Sequence, residues 1–224
     1  MTVSNICARA LSLANLTGSS LFSSTEKTDA LNAAYRDVYE KICDANDDYF
    51  VTEWTWALSA MTAVTNDPGA YKILLPTTVS PFYRLRKLEY QSGTSWRPVS
   101  KFSLQDEYQR SSGPQYRLQG LYLLITFPPS GSFTNFRAWY YPTPSVYDYS
   151  TFPSIDITVP PQLEVDLLAY QIAVDMKRKQ GADYAQLMQR RDELWALFLD
   201  GISNRDNWDV QAVANVYRTT SGAT

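Results

Sequence analysis

The sequence predicts an α+β protein. Helices from the two ends of the chain form a bundle, an antiparallel β barrel or sandwich is inserted between them, and an extended arm follows at the C-terminus. Three observations predict this. Apolar residues recur at three- and four-residue steps before residue 49 and again after residue 160. Between those blocks the period shortens to two, and Gly and Pro punctuate the chain. Beyond residue 202 the apolar residues stand isolated among polar ones. The expected domains are 1–49 with 160–202 for the bundle, 50–159 for the β domain with its Pro/Tyr-rich return connection, and 203–224 for the arm.

Each element has its own reason. Val3, Ile6, Cys7, Ala10, Leu11 and Ala14 make the stripe of a first helix, which stops at "LTGSS". Ser23 and Glu26 have capping-box spacing, and Leu31, Ala34, Tyr35, Val38 and Ile42 then form one clean helical stripe. That helix should end near 44–48. "VTEWTWALSA" is aromatic and β-prone, "NDPG" (66–69) is a turn, and "YKILL" is a short strand. "FYRLRKLEYQ" alternates, with Tyr83, Leu85, Leu88 and Tyr90 inward and a bulge at Arg86–Lys87. "QSGTSW" reads as a hairpin turn. "GPQYRLQGLYLLITFPPSGSFTNFRAWYY" reads as three strands, the first two joined near Gly120 and the last two by "PPSGS".

The helical period returns after Pro160 and Pro161, which suit a helix entrance. Leu163, Leu167, Leu168, Ala169, Ile172 and Met176 form its apolar face, and Gly181 is placed as C-cap. Asp183 can cap a last helix whose stripe is Tyr184, Leu187, Met188, Leu194, Trp195, Phe198 and Ile202. None of these helices is stable alone, so the two ends of the chain must meet to bury their stripes.

Composition narrows the chemistry. The chain has 224 residues, a formal net charge of −3 and no histidine. Without histidine, neither a Ser-His-Asp nor a Cys-His site can exist, and a His-containing zinc site is impossible. An acidic balance argues against nucleic-acid binding through bulk positive charge. No apolar run is long enough to span a membrane, and "MTVSNICARALSLANLTG" lacks the pattern of a signal peptide. Cys7 and Cys43 sit in helical stripes, as buried free thiols do.

Candidate charged sites have ordinary explanations. "DANDD" (44–48) lacks the glycine and distal glutamate of a calcium loop. Arg84, Arg86 and Lys87 read as a solvated strand face, and "KRK" at 177–179 sits where a helix dipole favours cations. Asp106 with Glu107, or Asp148 with Asp156, would be the carboxylate pairs of a hydrolase. No metal or other cofactor is implied. Six Trp, sixteen Tyr and nine Phe instead favour interfaces, because such rings offer contact area with few torsions to freeze.

Two stretches carry that interface character. "FRAWYYPTPSVYDYSTFPSIDITVPP" (136–161) holds five prolines, which keep it extended without a sheet partner. Its Tyr140, Tyr141, Tyr147, Tyr149 and Phe152 have two candidate tasks: packing within the subunit or covering a neighbour, with Tyr147 and Tyr149 assigned to the neighbour. Residues 203–224 place Trp208, Val210, Val213, Val216, Tyr217 and Arg218 in a polar context, as a segment that orders on a partner would.

The chain resembles the head-to-tail adaptor (connector) proteins of tailed bacteriophages. The resemblance rests on the helix "TDALNAAYRDVYEKICDANDDYF", a β insertion, and a last β-hairpin "YRLQGLYLLITFPPSGSFTNFRAWYYPTP". A proline-bearing connection and the helix "PPQLEVDLLAYQIAVDMKRKQG" follow. The hairpin's glycine, its central prolines and the closing Tyr-Tyr-x-x-Pro are its most specific part. It implies a non-enzymatic virion protein of the neck, assembled in the host cytoplasm. The expected form is a homo-oligomeric ring, usually of twelve subunits, that docks on the portal protein and presents a surface to tail or neck proteins such as a nozzle or tail tube. Genomic DNA would pass through without sequence-specific binding, no membrane would be involved, and residues 203–224 would be the portal-binding arm. Two alternatives come from other classes: a tail-associated carbohydrate- or receptor-binding module, and a carboxylate-based cell-wall hydrolase.

Overall fold

The computed structural model describes residues 2–17, 22–45, 48–65, 67, 69–102, 113–128, 133–151, 153–157 and 165–201. It is α+β, and the chain divides into two compact units. One comprises Met1–Tyr49 with Ser145–Thr224, and the other Phe50–Pro144. The segment from Ser145 onward therefore stands with the helices.

In the first unit α1 (Val3–Leu13) starts at Thr2, whose hydroxyl accepts from the Asn5 amide at 3.3 Å. It buries Val3, Ile6, Cys7, Ala10 and the following Ala14, while Leu11 is only half-buried. α2 (Ser24–Asp44) opens with the expected capping box: the Ser23 hydroxyl accepts from the Glu26 amide at 3.2 Å and the Glu26 carboxylate from the Ser23 amide at 2.9 Å. Its stripe of Leu31, Ala34, Tyr35, Val38 and Ile42 is buried throughout.

α3 (Val165–Lys179) packs on both α1 and α2, burying Leu167, Leu168, Ala169, Ile172 and Met176. It ends in a Schellman motif: Ala182 N–H bonds Lys177 C=O, Gly181 N–H bonds Arg178 C=O, and Gly181 takes φ +66°. The last helix, α4, covers residues 185–201, and Asp183 accepts from the Ala185 amide at 3.0 Å. Leu194, Trp195 and Phe198 are buried, but Met188, expected in the stripe, is exposed at the flank of the buried face. Pro160, Pro161, Leu163 and Ile202 lie outside the described residues.

Among the described residues the second unit holds nine strands in two sheets. These are β1 (Thr52–Ala57), β2 (Thr62–Ala63), β3 (Ala70–Leu74), β4 (Phe82–Ser92), β5 (Ser95–Pro98), β6 (Ser100–Lys101), β7 (Gln115–Gln119), β8 (Tyr122–Thr126) and β9 (Asn135–Pro142). One sheet runs β1-β9-β4-β5 and the other β2-β3-β8-β7-β6. Neither closes, so the barrel expectation fails: the unit is two open sheets. Their inner faces share one core, with Trp56, Leu88, Phe136 and Ala138 from the first sheet and Leu123 and Ile125 from the second.

The turns follow their glycines. β4–β5 and β7–β8 are hairpins with two-residue loops, and Gly93 (φ +61°) and Gly120 (φ +58°) occupy the first loop position of each. Three expectations need correction. β6 pairs parallel to β7, making the second sheet mixed. The stretch joined by "PPSGS" is no hairpin, because β9 leaves β8 to lie between β1 and β4 in the other sheet. β4 has the bulge expected near Arg86–Lys87, between Leu85 and Lys87, and a second between Phe82 and Arg84. The second irregularity resets the alternation, so Phe82 joins the core and Tyr83, expected inward, is exposed.

Candidate assembly surfaces

The return segment divides between the units. Tyr140 and Tyr141, on β9, are buried in the β unit. Tyr140 stacks on Phe82 with centroids 5.5 Å apart and donates to the Ser80 carbonyl at 2.8 Å. Burial raises the pKa of its hydroxyl.

Tyr147 is buried in the helical unit, 7% exposed, edge-on to Tyr35 at 5.0 Å. Asn32 fixes its backbone from α2: the amide group donates to the Tyr147 carbonyl at 2.8 Å and accepts from the Tyr147 N–H at 2.8 Å. A second bond from that Asn32 nitrogen, 2.9 Å, goes to Thr28 C=O. Asn32 so replaces the sheet partner that an extended segment lacks. Tyr35's hydroxyl titrates well above its usual range, first through burial and then through Tyr147.

Tyr149 is half-buried; its N–H reaches the Thr28 hydroxyl at 3.1 Å, and the Lys27 ammonium lies 5.0 Å from its ring. The rings of Tyr140, Tyr141 and Tyr147 thus have packing tasks inside their own units, and Tyr149 keeps part of its surface. Phe152, Trp208, Val210, Val213, Val216, Tyr217 and Arg218 lie outside the described residues.

Of the carboxylates, Asp106 and Glu107 are likewise outside. Asp148 is held by its own turn: the Ser150 hydroxyl and amide and the Thr151 hydroxyl bond it at 2.7, 2.8 and 2.7 Å. These bonds, the Ser150 hydroxyl first, lower its pKa to about 2. Such a group stays ionised and suits a structural turn rather than proton donation. Asp156 pairs with Thr2 in an isolated β-bridge. Among the described residues no group of three or more Cys, Asp or Glu could hold a metal ion, and no helix is long and apolar enough to cross a membrane.

One charged cluster was not foreseen from the sequence. Glu89 on β4 is only 4% exposed. It accepts from Lys87 at 2.6 Å and from Arg137 on β9 at 2.5 Å. The Arg137 guanidinium lies 4.4 Å from the Trp96 ring and 5.7 Å from Trp139. Burial alone would raise the Glu89 carboxyl, but the bonds from Lys87 and Arg137 outweigh it and hold it below its ordinary value. The signal available beforehand was the alternation Lys87-x-Glu89 and Arg137-x-Trp139, which puts all four on one face of the sheet. Exposed apolar residues, by contrast, collect at the tip of the β7–β8 hairpin: Leu118, Leu121 and Tyr122, with Leu74 beside them on β3.

No protein-family model matches the chain, and no curated protein matches it.

Proposed function

We propose that this chain is a non-enzymatic virion protein: a head-to-tail adaptor that forms a ring on the portal, extends the DNA channel and offers a surface to tail or neck proteins. In this reading the helices form a bundle, the β unit is a domain inserted into it, and residues 203–224 are an arm that reaches the portal. The observation that supports it most is the division of the chain. Residues from both ends, Met1–Tyr49 and Ser145–Thr224, make one unit, and Phe50–Pro144 makes the other. This is the element order on which the resemblance to phage adaptors rests. The aromatic composition is that of an assembly protein.

Negative-stain imaging of the protein mixed with portal rings tests the reading. A stacked ring on the portal is expected, and truncation before Ser203 should leave the fold intact while abolishing attachment. Portals that stay bare with the full chain refute the adaptor function. Truncated protein that still docks refutes the arm.

A further inference from the structure

The adaptor reading calls for a contact that repeats from one copy to the next, and the described residues hold two surfaces of complementary chemistry. The first lies on the outer face of the five-stranded sheet. Leu74 pairs opposite Tyr122, and the two-residue turn at Gly120 presents Leu121, which is 63% exposed. A rigid turn of this kind holds its apolar tip at little entropic cost. Beside it opens a hollow of about 440 Å3 lined by Val64, Lys72, Gln119, Leu121, Tyr122 and Leu124. The Lys72 ammonium sits 5.2 Å from the Tyr122 ring, and no carboxylate pairs with it among the described residues. The hollow is therefore apolar with one unneutralised cation at its side.

The second surface is on α4. Leu197 is 61% exposed, at the flank of the face that buries Leu194, Trp195 and Phe198. Asp200, one turn further on the same side, is exposed and has no cation partner among the described residues. An apolar side chain with a carboxylate one turn away is complementary in chemistry to an apolar hollow with Lys72 beside it. Large exposed apolar side chains grouped with unmatched charge mark association surfaces.

We propose that these two surfaces join consecutive copies of the chain: Leu197 of one copy enters the hollow beside Leu121 of the next, and Asp200 pairs with Lys72. The contact is heterologous, since the surfaces differ, and its repetition gives a ring when the rotation closes. This inference rests on the adaptor reading for its ring geometry and adds the contacting residues.

The test uses the full chain in sedimentation experiments, with melting curves confirming that each variant is folded. Wild type should associate as its concentration rises. Lys72→Glu and Asp200→Lys should each weaken association by about tenfold or more, and the double exchange should restore it to within about threefold of wild type. Leu121→Asp and Leu197→Asp change exposed positions. Each alone should stay monomeric, and their mixture should stop at dimers, because each variant retains one working surface. A wild type that stays monomeric at every concentration overturns the inference. So do single charge exchanges without effect, a double exchange that restores nothing, or a mixture that fails to dimerise. Docking on portal rings is scored separately. Association through this contact without portal docking refutes the adaptor reading alone, and portal docking unaffected by all four variants refutes this contact alone.

Discussion

Replacing Glu89 by Gln tests whether the buried ion cluster holds the four-stranded sheet together. The change keeps the shape and removes the charge. Lys87 is half exposed, so its lost attraction contributes only about 0.5 kcal/mol. Arg137 is more enclosed, with a quarter of its side chain exposed, and a hydrogen bond to a charged group in such a place is worth about 1.5–3 kcal/mol. Gln retains one acceptor oxygen, which returns part of this, and Arg137 keeps its stacking on Trp96 and Trp139. The sum is about 2 kcal/mol, or about thirtyfold in the unfolding equilibrium of the β unit. Urea unfolding followed by tryptophan emission is weighted to that unit, since four of the six tryptophans, Trp54, Trp56, Trp96 and Trp139, lie in it. The sign of the pH effect is fixed by the lowered pKa of Glu89. A depressed carboxyl contributes stability above its unfolded pKa of about 4.5 and loses it as pH falls through the folded value. Wild type should therefore exceed the variant by the full amount at neutral pH, and the gap should close in acid. A gap below about 0.5 kcal/mol at pH 7, or one of equal size near pH 3, would refute the reasoning.

Three further outcomes follow from the packing. Phe136→Ala removes a ring that is fully buried where the two sheets meet, and should cost the β unit about 3–5 kcal/mol in the same urea experiment; a loss under about 1 kcal/mol would mean that the sheets do not share that core. Asn32→Ala strands the N–H and C=O of Tyr147 and should destabilise the helical unit by about 2 kcal/mol, read by helical circular dichroism. Tyr147→Phe should cost less than Asn32→Ala if the backbone clamp matters more than the hydroxyl. Cys7 is buried and its thiol pushed up to about 11, so a thiol reagent at pH 8 should label it only after unfolding. Rapid labelling of Cys7 in the native protein would contradict its placement in the α1 stripe.

Much of the helical unit was legible because its signals are local. A capping box, a 3.6-residue stripe and a C-terminal glycine each lie within a few residues of what they determine, so Ser23, Glu26, the α2 stripe and Gly181 behave as expected. Strand positions and the Gly93 and Gly120 turns were legible for the same reason. Strand partnership was not. β8 and β9 follow one another in sequence but belong to different sheets, and the parallel β6–β7 pair leaves no mark in the sequence. A second bulge, worth one residue, was enough to exchange Phe82 for Tyr83 as the inward ring.

The assembly surfaces divide along the same line. The sequence by itself determined which side chains are available: abundant aromatics, no histidine, and prolines that hold the return segment extended. It could not say which of those rings face inward. Tertiary structure decided that Tyr140, Tyr141 and Tyr147 are buried, and that Leu121, Leu197, Lys72 and Asp200 are presented outward. It also put Glu89 between Lys87 and Arg137. The physical reason is that periodicity assigns a residue to a face, whereas burial depends on what packs over that face, and the covering segment comes from a distant part of the chain. Asn32 and Tyr147, which are joined by two hydrogen bonds, stand 115 positions apart.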